Sequence, residues 1–114
     1  MARKVEASII FSLMLLLLYS DGAQCTEQPE KTWCVAKPSS DDATLSANLN
    51  YSCSQVDCSI LQRDCAFPNT LISHASIAMN LYYQAVGRNY WNCYFSNSGL
   101  ITTTDPSFDH CSYA

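Results

Sequence analysis

Between Asn80 and Tyr94 the chain interleaves aromatic rings with side-chain amides: Asn80, Tyr82, Tyr83 and Gln84, then Tyr90, Trp91, Asn92 and Tyr94. The chemistry open to such a set is non-covalent. An aromatic face stacks on the apolar C–H face of a ring, and amides donate to and accept from hydroxyls, the two demands a sugar makes of a binding surface. Small disulfide-rich domains also bury tyrosines in their cores, so residue type alone leaves both uses open. Helical spacing separates them. Leu71, Ala75, Ala78, Tyr82 and Val86 recur at steps of four, three, four and four, which places Tyr82 on a core-facing stripe and turns Tyr83 about 100° away from it. Asn80, Gln84 and Arg88 share the neighbouring polar face. The binding candidates are therefore Asn80, Tyr83, Gln84, Arg88, Trp91, Asn92 and Tyr94.

Covalent chemistry has weaker support. Ser73, His74 and Ser76 invite a triad, but no acid lies close in sequence and no strand–turn–helix nucleophile elbow is present. His74 shares a face with Ala78, Leu81 and Ala85 and is read as a satisfied, partly buried histidine. Asp41 and Asp42 are adjacent carboxylates at a helix start, where they serve as capping charges rather than as an acid/base pair. A glycoside hydrolase needs two carboxylates placed about a scissile bond, and no such pair flanks the aromatic segment. No catalytic residue, metal or cofactor is expected.

Arg3 and Lys4 precede a run from Ile9 to Tyr19 that is apolar except for Ser12, followed by the small residues Ser20, Gly22 and Ala23. This is the pattern of a secretory signal peptide over residues 1–25, its boundary between 22 and 25, followed by a flexible leader at 26–31 and a domain at 32–114. The apolar run is too short to span a bilayer, and neither a transmembrane segment nor a hydrophobic tail signalling a lipid anchor follows it. Cysteines stand at 25, 34, 53, 58, 65, 93 and 111, in a chain bound for an oxidising compartment. Six of them can form three disulfides, with Cys25 removed with the signal or left as a spare thiol. Three bridges, each contributing about 3 to 4 kcal/mol, matter in a chain this short of core. Secretion and the lack of histidine clusters argue for bridges over zinc, even for the C-x4-C pair Cys53 and Cys58. From Thr26 onward Lys31, Lys37, Arg63 and Arg88 are scattered singly among a larger number of acids, so nucleic acid is excluded as a partner.

The elements that must position the aromatic segment are short. Trp33-Cys34-Val35 reads as a strand, with Trp33 packed beside a disulfide rather than offered to a ligand. The turn Lys37 to Asp42 starts a first helix, with serine available as its cap and Leu45, Leu49 and Cys53 on its core side. Ser59-Ile60-Leu61 offers a single helical turn. The long helix follows, opened by Asn69 or Thr70 and closed by Gly87. Tyr94-Phe95 and Leu100 to Thr103 flank Ser96-Asn97-Ser98-Gly99, the signal of a β-hairpin. Asn50-Tyr51-Ser52 is a glycosylation sequon, which makes Asn50 a modification candidate.

Several of these stretches coincide with one family. Trp33-Cys34-Val35-Ala36-Lys37-Pro38, Asn48 to Cys53, Val56-Asp57-Cys58-Ser59, Ala78 to Gln84, Gly87-Arg88-Asn89, Trp91-Asn92-Cys93 and Thr104-Asp105-Pro106-Ser107 together resemble the plant X8 domain, also classed as carbohydrate-binding module family 43. The resemblance runs from about residue 32 to 113. It implies a small disulfide-stapled α+β fold, with two main helices packed with a small antiparallel sheet and long coil segments. It also implies bridges pairing Cys34 with Cys93, Cys53 with Cys58 and Cys65 with Cys111. Family members bind β-1,3-glucans such as callose or laminarin, either appended to a glucan hydrolase or standing alone, often with a glycolipid anchor and sometimes at plasmodesmata. Here the expectation is a free-standing, monomeric, non-catalytic glucan binder secreted to the cell wall. A secreted cysteine-rich signalling or defence protein is the alternative, with a glycoside hydrolase behind it.

Overall fold

The computed structural model describes residues 30–114; the signal peptide, Cys25 and residues 26–29 of the leader lie outside the described residues. In chain order the elements are strand β1 (Trp33–Ala36), helix α1 (Asp42–Gln55), a 3-10 turn (Ser59–Gln62), helix α2 (Leu71–Ala85), a second 3-10 turn (Tyr90–Cys93) and strand β2 (Gly99–Thr102). This is a small α+β domain. β1 and β2 form a two-stranded antiparallel sheet in which Trp33 faces Thr102 and Ala36 faces Gly99.

A two-stranded sheet is marginal by itself, and α2 supplies what it lacks. The N–H groups of Cys34 and Ala36 are turned away from β2 by the alternation of an antiparallel ladder. They donate to Asn80 Oδ1 at 3.0 Å and Ser76 Oγ at 2.9 Å. Four residues along a helix rise about 6 Å and two along a strand about 6.7 Å, so the two acceptors match the two donors. The Cys34–Cys93 disulfide closes the same seam.

Helix α1 is capped by Asp41, whose Oδ1 accepts from Thr44 N at 2.8 Å. The cap is this aspartate rather than a serine, and hydrogen bonding to the Thr44 side chain, with the backbone bond second to it, holds its carboxyl below the usual carboxylate range. The buried residues of α1 are Leu45, Asn48 and Ser52 rather than the expected Leu45, Leu49 and Cys53, so two of the three are polar. Asn48 is placed by its Nδ2 donating to Ser98 Oγ at 2.8 Å. Thr70 caps α2, accepting from Ser73 N at 3.3 Å. At the other end Gly87 sits at φ 110° and Arg88 N donates to Tyr83 O at 2.9 Å, the six-to-one bond of a Schellman close.

Two core clusters flank α2. One gathers Leu45, Ala75, Met79 and Tyr83 around Cys34 and Cys93; the other joins Ile77 to Cys65 and Cys111, with Leu81 and Phe108 packed against it. Trp33 is buried under the Lys31 ammonium, 5.5 Å from its ring centroid, and belongs to the core. The bridges are Cys34–Cys93, Cys53–Cys58 and Cys65–Cys111, the pairing that the resemblance implies.

Two expectations are corrected. Tyr83, placed outward by the spacing argument, is 1 % exposed, and its hydroxyl meets Thr32 Oγ1 at 2.7 Å. The core stripe runs Leu71, Ala75, Met79, Tyr83, a strict step of four. Leu71, Ala75, Ala78, Tyr82 fits the helical period equally well, and because α2 is covered on several sides the apolar residues alone do not select between them. The hairpin is also replaced. Phe95, Ser96 and Asn97 form a left-handed turn, at φ 44°, 51° and 65°, and β2 pairs with β1 from the far end of the chain. Gly99 is forced by contact, since a Cβ there would lie 1.7 Å from Cys93 O.

Replacing Tyr83 by alanine is expected to cost about 3 to 5 kcal/mol, a core aromatic lost, and by phenylalanine about 1 kcal/mol, one hydrogen bond lost. Urea unfolding of both variants reads the two values, and equal costs would contradict the packing described. The bridges should rank by loop length, at separations of 59, 46 and 5 residues. Removing Cys53–Cys58 as a double alanine variant should cost about 2 kcal/mol and removing Cys65–Cys111 about 4 kcal/mol, measured in the same melts.

Candidate functional site

The left-handed turn, the second 3-10 turn and the outer faces of both helices converge on one open cleft of about 180 Å³, lined by Tyr51, Tyr82, Trp91, Asn92 and Phe95. Each lining residue is placed by a separate part of the fold. Tyr51 projects from α1, about a quarter turn from buried Leu45, Asn48 and Ser52. Tyr82 projects from α2, rotated off the Met79 and Tyr83 stripe. Trp91 and Asn92 sit on the 3-10 turn that Cys93 anchors through its bridge to β1. Phe95 is carried to the cleft by the first left-handed residue of the following turn, a conformation that an L-residue adopts at a cost of roughly 1 to 2 kcal/mol. Hydrogen bonds from Ser98 N and Gly99 N to Tyr94 O, both at 3.2 Å, hold that turn closed.

Tyr82 is the centre of the cleft. Its ring meets Tyr51 edge to face at 5.4 Å and Phe95 at 5.9 Å between centroids. Its hydroxyl stands 3.5 Å from that of Tyr51. This phenol–phenol contact, with burial second to it, raises the Tyr82 pKa above its ordinary value, against an opposing contribution from the Asn92 side chain. The phenol is therefore a neutral hydroxyl throughout the acidic and neutral range, able to donate and accept. Asn92 Oδ1 is buried without a hydrogen-bond partner among the described residues. Trp91 is 60 % exposed, with Tyr90 packed against it at 5.2 Å in a T-shaped pair. Exposed rings gathered in this way mark an interaction surface.

Of the residues singled out from the sequence, Trp91 and Asn92 line the cleft. Tyr94 is exposed next to it but is not part of the lining, and exposed Arg88 adopts φ 61° at the close of α2, likewise outside it. Asn80 is corrected. It is fully buried, its Oδ1 accepting from Cys34 N and its Nδ2 donating to Ala114 O at 3.2 Å, so its amide is already saturated inside the fold. Gln84 is half-buried and donates to Thr32 O at 2.8 Å and Asn80 Oδ1 at 3.1 Å; it too serves the fold. Tyr83, in the core, cannot reach a ligand. Tyr82, placed on the core-facing stripe by the spacing argument, is instead half-exposed and lines the cleft, and Tyr51 and Phe95 were not singled out from the sequence. Tyr51 left one signal, an aromatic residue on the otherwise polar side of an amphipathic helix.

The remaining candidates for chemistry are occupied structurally. Ser76 Oγ accepts from Ala36 N, and His74 Nε2 lies 3.1 Å from Ala66 O, so the serine and histidine of the imagined triad serve different parts of the backbone. Among the described residues no group of three or more histidine, cysteine, aspartate or glutamate side chains could hold a metal ion. Asn50 is exposed on α1 while Ser52, its sequon partner, is buried. Among the described residues no helix is long and apolar enough to cross a membrane.

Known proteins place the fold. A family model described as the X8 domain matches residues 32–100. A glucan endo-1,3-beta-D-glucosidase of Olea europaea is 45% identical over 91 residues, covering 77% of this chain and 20% of that protein. The major pollen allergen Ole e 10 of the same organism is 48% identical over 90 residues, covering 75% of this chain and 73% of the allergen. A glucan endo-1,3-beta-glucosidase of Triticum aestivum is 45% identical over 83 residues, 71% of this chain and 18% of that enzyme. The similarity thus spans about a fifth of each of these two glucosidases and most of the allergen. With the matched segment running from the residue before β1 to the middle of β2, and carrying Tyr51, Tyr82, Trp91, Asn92 and Phe95 within it, the chain belongs to the X8 domain family.

Proposed function

We propose that this domain is a non-catalytic module that binds β-1,3-glucan, of the callose or laminarin type, at the plant cell wall. The observation that carries the reading is the Tyr82 cleft: an exposed tryptophan, three further rings and an amide, gathered on one surface. Its volume, about 180 Å³, falls below the roughly 300 Å³ at which small-molecule pockets begin. It is a dish for one ring of a longer chain rather than an enclosure. The substrate named in the similar glucosidases selects the polysaccharide. Secretion, which the amino-terminal sequence supports, brings a monomeric domain to it.

The lining of the aromatic cleft supports binding without hydrolysis there. Glycoside hydrolysis needs a proton donor and a second carboxylate, and the aromatic cleft contains neither. Incubation with laminarin should release no reducing sugar. Release that persists through purification, and is abolished by changing one carboxylate, would establish an enzyme instead.

The affinity test is retention on insoluble β-1,3-glucan, with cellulose and chitin as controls, followed by calorimetric titration with a laminari-oligosaccharide. Tyr82→Ala and Trp91→Ala should each weaken binding by about 1.5 kcal/mol, roughly tenfold, with little change in melting temperature. Tyr83→Phe should bind normally. Equal binding by all three variants would remove the cleft from the mechanism. Because the lining has no carboxylate or histidine, and Tyr82 titrates above the usual value near 10, affinity at this cleft should stay level between about pH 5 and 8. A titration within that window would point to a site elsewhere.

A further inference from the structure

The domain carries a second, larger cleft that the aromatic site does not use. It is lined by Arg63, Asp64, Phe67, Phe108, Asp109 and His110 above the Cys65–Cys111 bridge, with a volume of about 370 Å³. Its place in the fold is on another side of α2. Ile77, which packs with Cys65, Cys111 and Phe108 beneath this cleft, is five residues before Tyr82 and therefore about 140° around the helix from it. A ligand strand lying in one cleft does not occupy the other.

The lining has the two components of a sugar site. Phe67 is 79 % exposed and belongs to neither core cluster, so its ring is available as a stacking face. Around it stand a guanidinium donor, two carboxylate acceptors and an imidazole. Arg63 is steadied by its Nη2 donating to Ser59 Oγ at 3.3 Å. The turn bearing Asp109 and His110 is closed by Phe108 N donating to Cys111 O at 3.0 Å and Cys111 N donating to Phe108 O at 2.8 Å. The charges select among ligands. Asp64 and Asp109 repel an anion and Arg63 disfavours a cation, whereas a neutral ring rich in hydroxyls can satisfy donors and acceptors together.

We propose that this cleft is a second glucan-binding site, so that one domain holds two β-1,3-glucan strands at once. The inference rests on the glucan reading of the aromatic cleft. Its consequence is bridging: a domain with two sites on different sides links neighbouring chains, and a polymer offering many repeats binds with avidity that short oligosaccharides do not show.

The test is calorimetric titration of the full chain with laminarihexaose, together with light scattering of a soluble β-1,3-glucan polymer. The wild-type protein should bind two oligosaccharides per domain and raise scattering sharply near equivalence. Phe67→Ala should bind one and lose the scattering rise, and Trp91→Ala should weaken the aromatic cleft about tenfold while leaving the Phe67 site unchanged. Arg63→Gln, which leaves the ring in place, should weaken the second site about tenfold and spare the first. Thermal melts establish that the variants are folded, with Arg63→Gln deciding the matter if Phe67→Ala is not. A wild-type stoichiometry of one, unaltered by Phe67→Ala and Arg63→Gln but weakened by Trp91→Ala, would overturn the second site and leave the first standing. No binding by the wild-type protein would overturn both.

Discussion

The buried carboxamide of Asn80 is the contact on which the architecture turns. Its oxygen accepts from Cys34 N and from Gln84 Nε2, and its nitrogen donates to Ala114 O, so a single side chain ties β1, α2 and the last residues of the chain. One turn earlier Ser76 receives Ala36 N. Without these acceptors the edge of β1 would present buried, unpaired N–H groups at a cost of roughly 1 to 3 kcal/mol each. With them, a four-residue strand becomes a fixed rail along the helix. β2 pairs with that rail, the Cys34–Cys93 bridge ties the segment before β2 to it, and Gly99 lets the returning backbone press against Cys93 O. The aromatic surface is the outer side of that strapped segment.

Helix α2 is used almost completely. Ser76 and Asn80 face β1, Met79 and Tyr83 fill one cluster, and Ile77 and Leu81 contribute to the other. Tyr82 is left half-exposed between these commitments, where Tyr51 and Phe95 pack it edge to face. Its orientation is thereby fixed before a ligand arrives, which reduces the entropy lost on binding. A cluster of rings held by helices and a disulfide differs in this respect from tyrosines on a loose loop. The three consecutive left-handed residues after Tyr94 belong to the same economy: local backbone strain beside the cleft is sustained by the hydrogen bonds and the bridge around it.

Much of the framework is legible in the amino-acid sequence because it depends on local chemistry. Thr70 before an apolar-periodic run, Gly87 after it and Asp41 at the head of α1 act on backbone groups a few residues away, so they mark helix ends whatever the rest of the chain does. The same holds for the short turn after Cys58 and for Trp33 beside its disulfide. Trp91 and Asn92, candidates from the sequence, line the aromatic cleft because they follow the end of α2 and sit two and one residues ahead of Cys93, on a turn rather than within a helix whose faces compete.

What only the tertiary structure decided is which way α2 faces and where β2 goes. Tyr82 and Tyr83 are chemically identical neighbours, and both fit a helical stripe; the choice between them is made by where α1, β1 and the two disulfide clusters pack, all contacts distant in sequence. Asn80 and Gln84 look like free amides in the sequence because their partners, Cys34 N, Thr32 O and Ala114 O, lie more than thirty residues away. Phe95 and Leu100 to Thr102 have the composition of a hairpin, but the ladder partner of β2 is the first strand, and the intervening residues were freed to curl left-handed and deliver a ring to the cleft. Sequence therefore determined the elements, their ends and the kind of chemistry available, because these follow from residue type and short-range spacing. Which candidates reach the cleft followed from long-range packing, which buried Asn80 and Tyr83, engaged Gln84 with the backbone and brought Tyr51 to Tyr82.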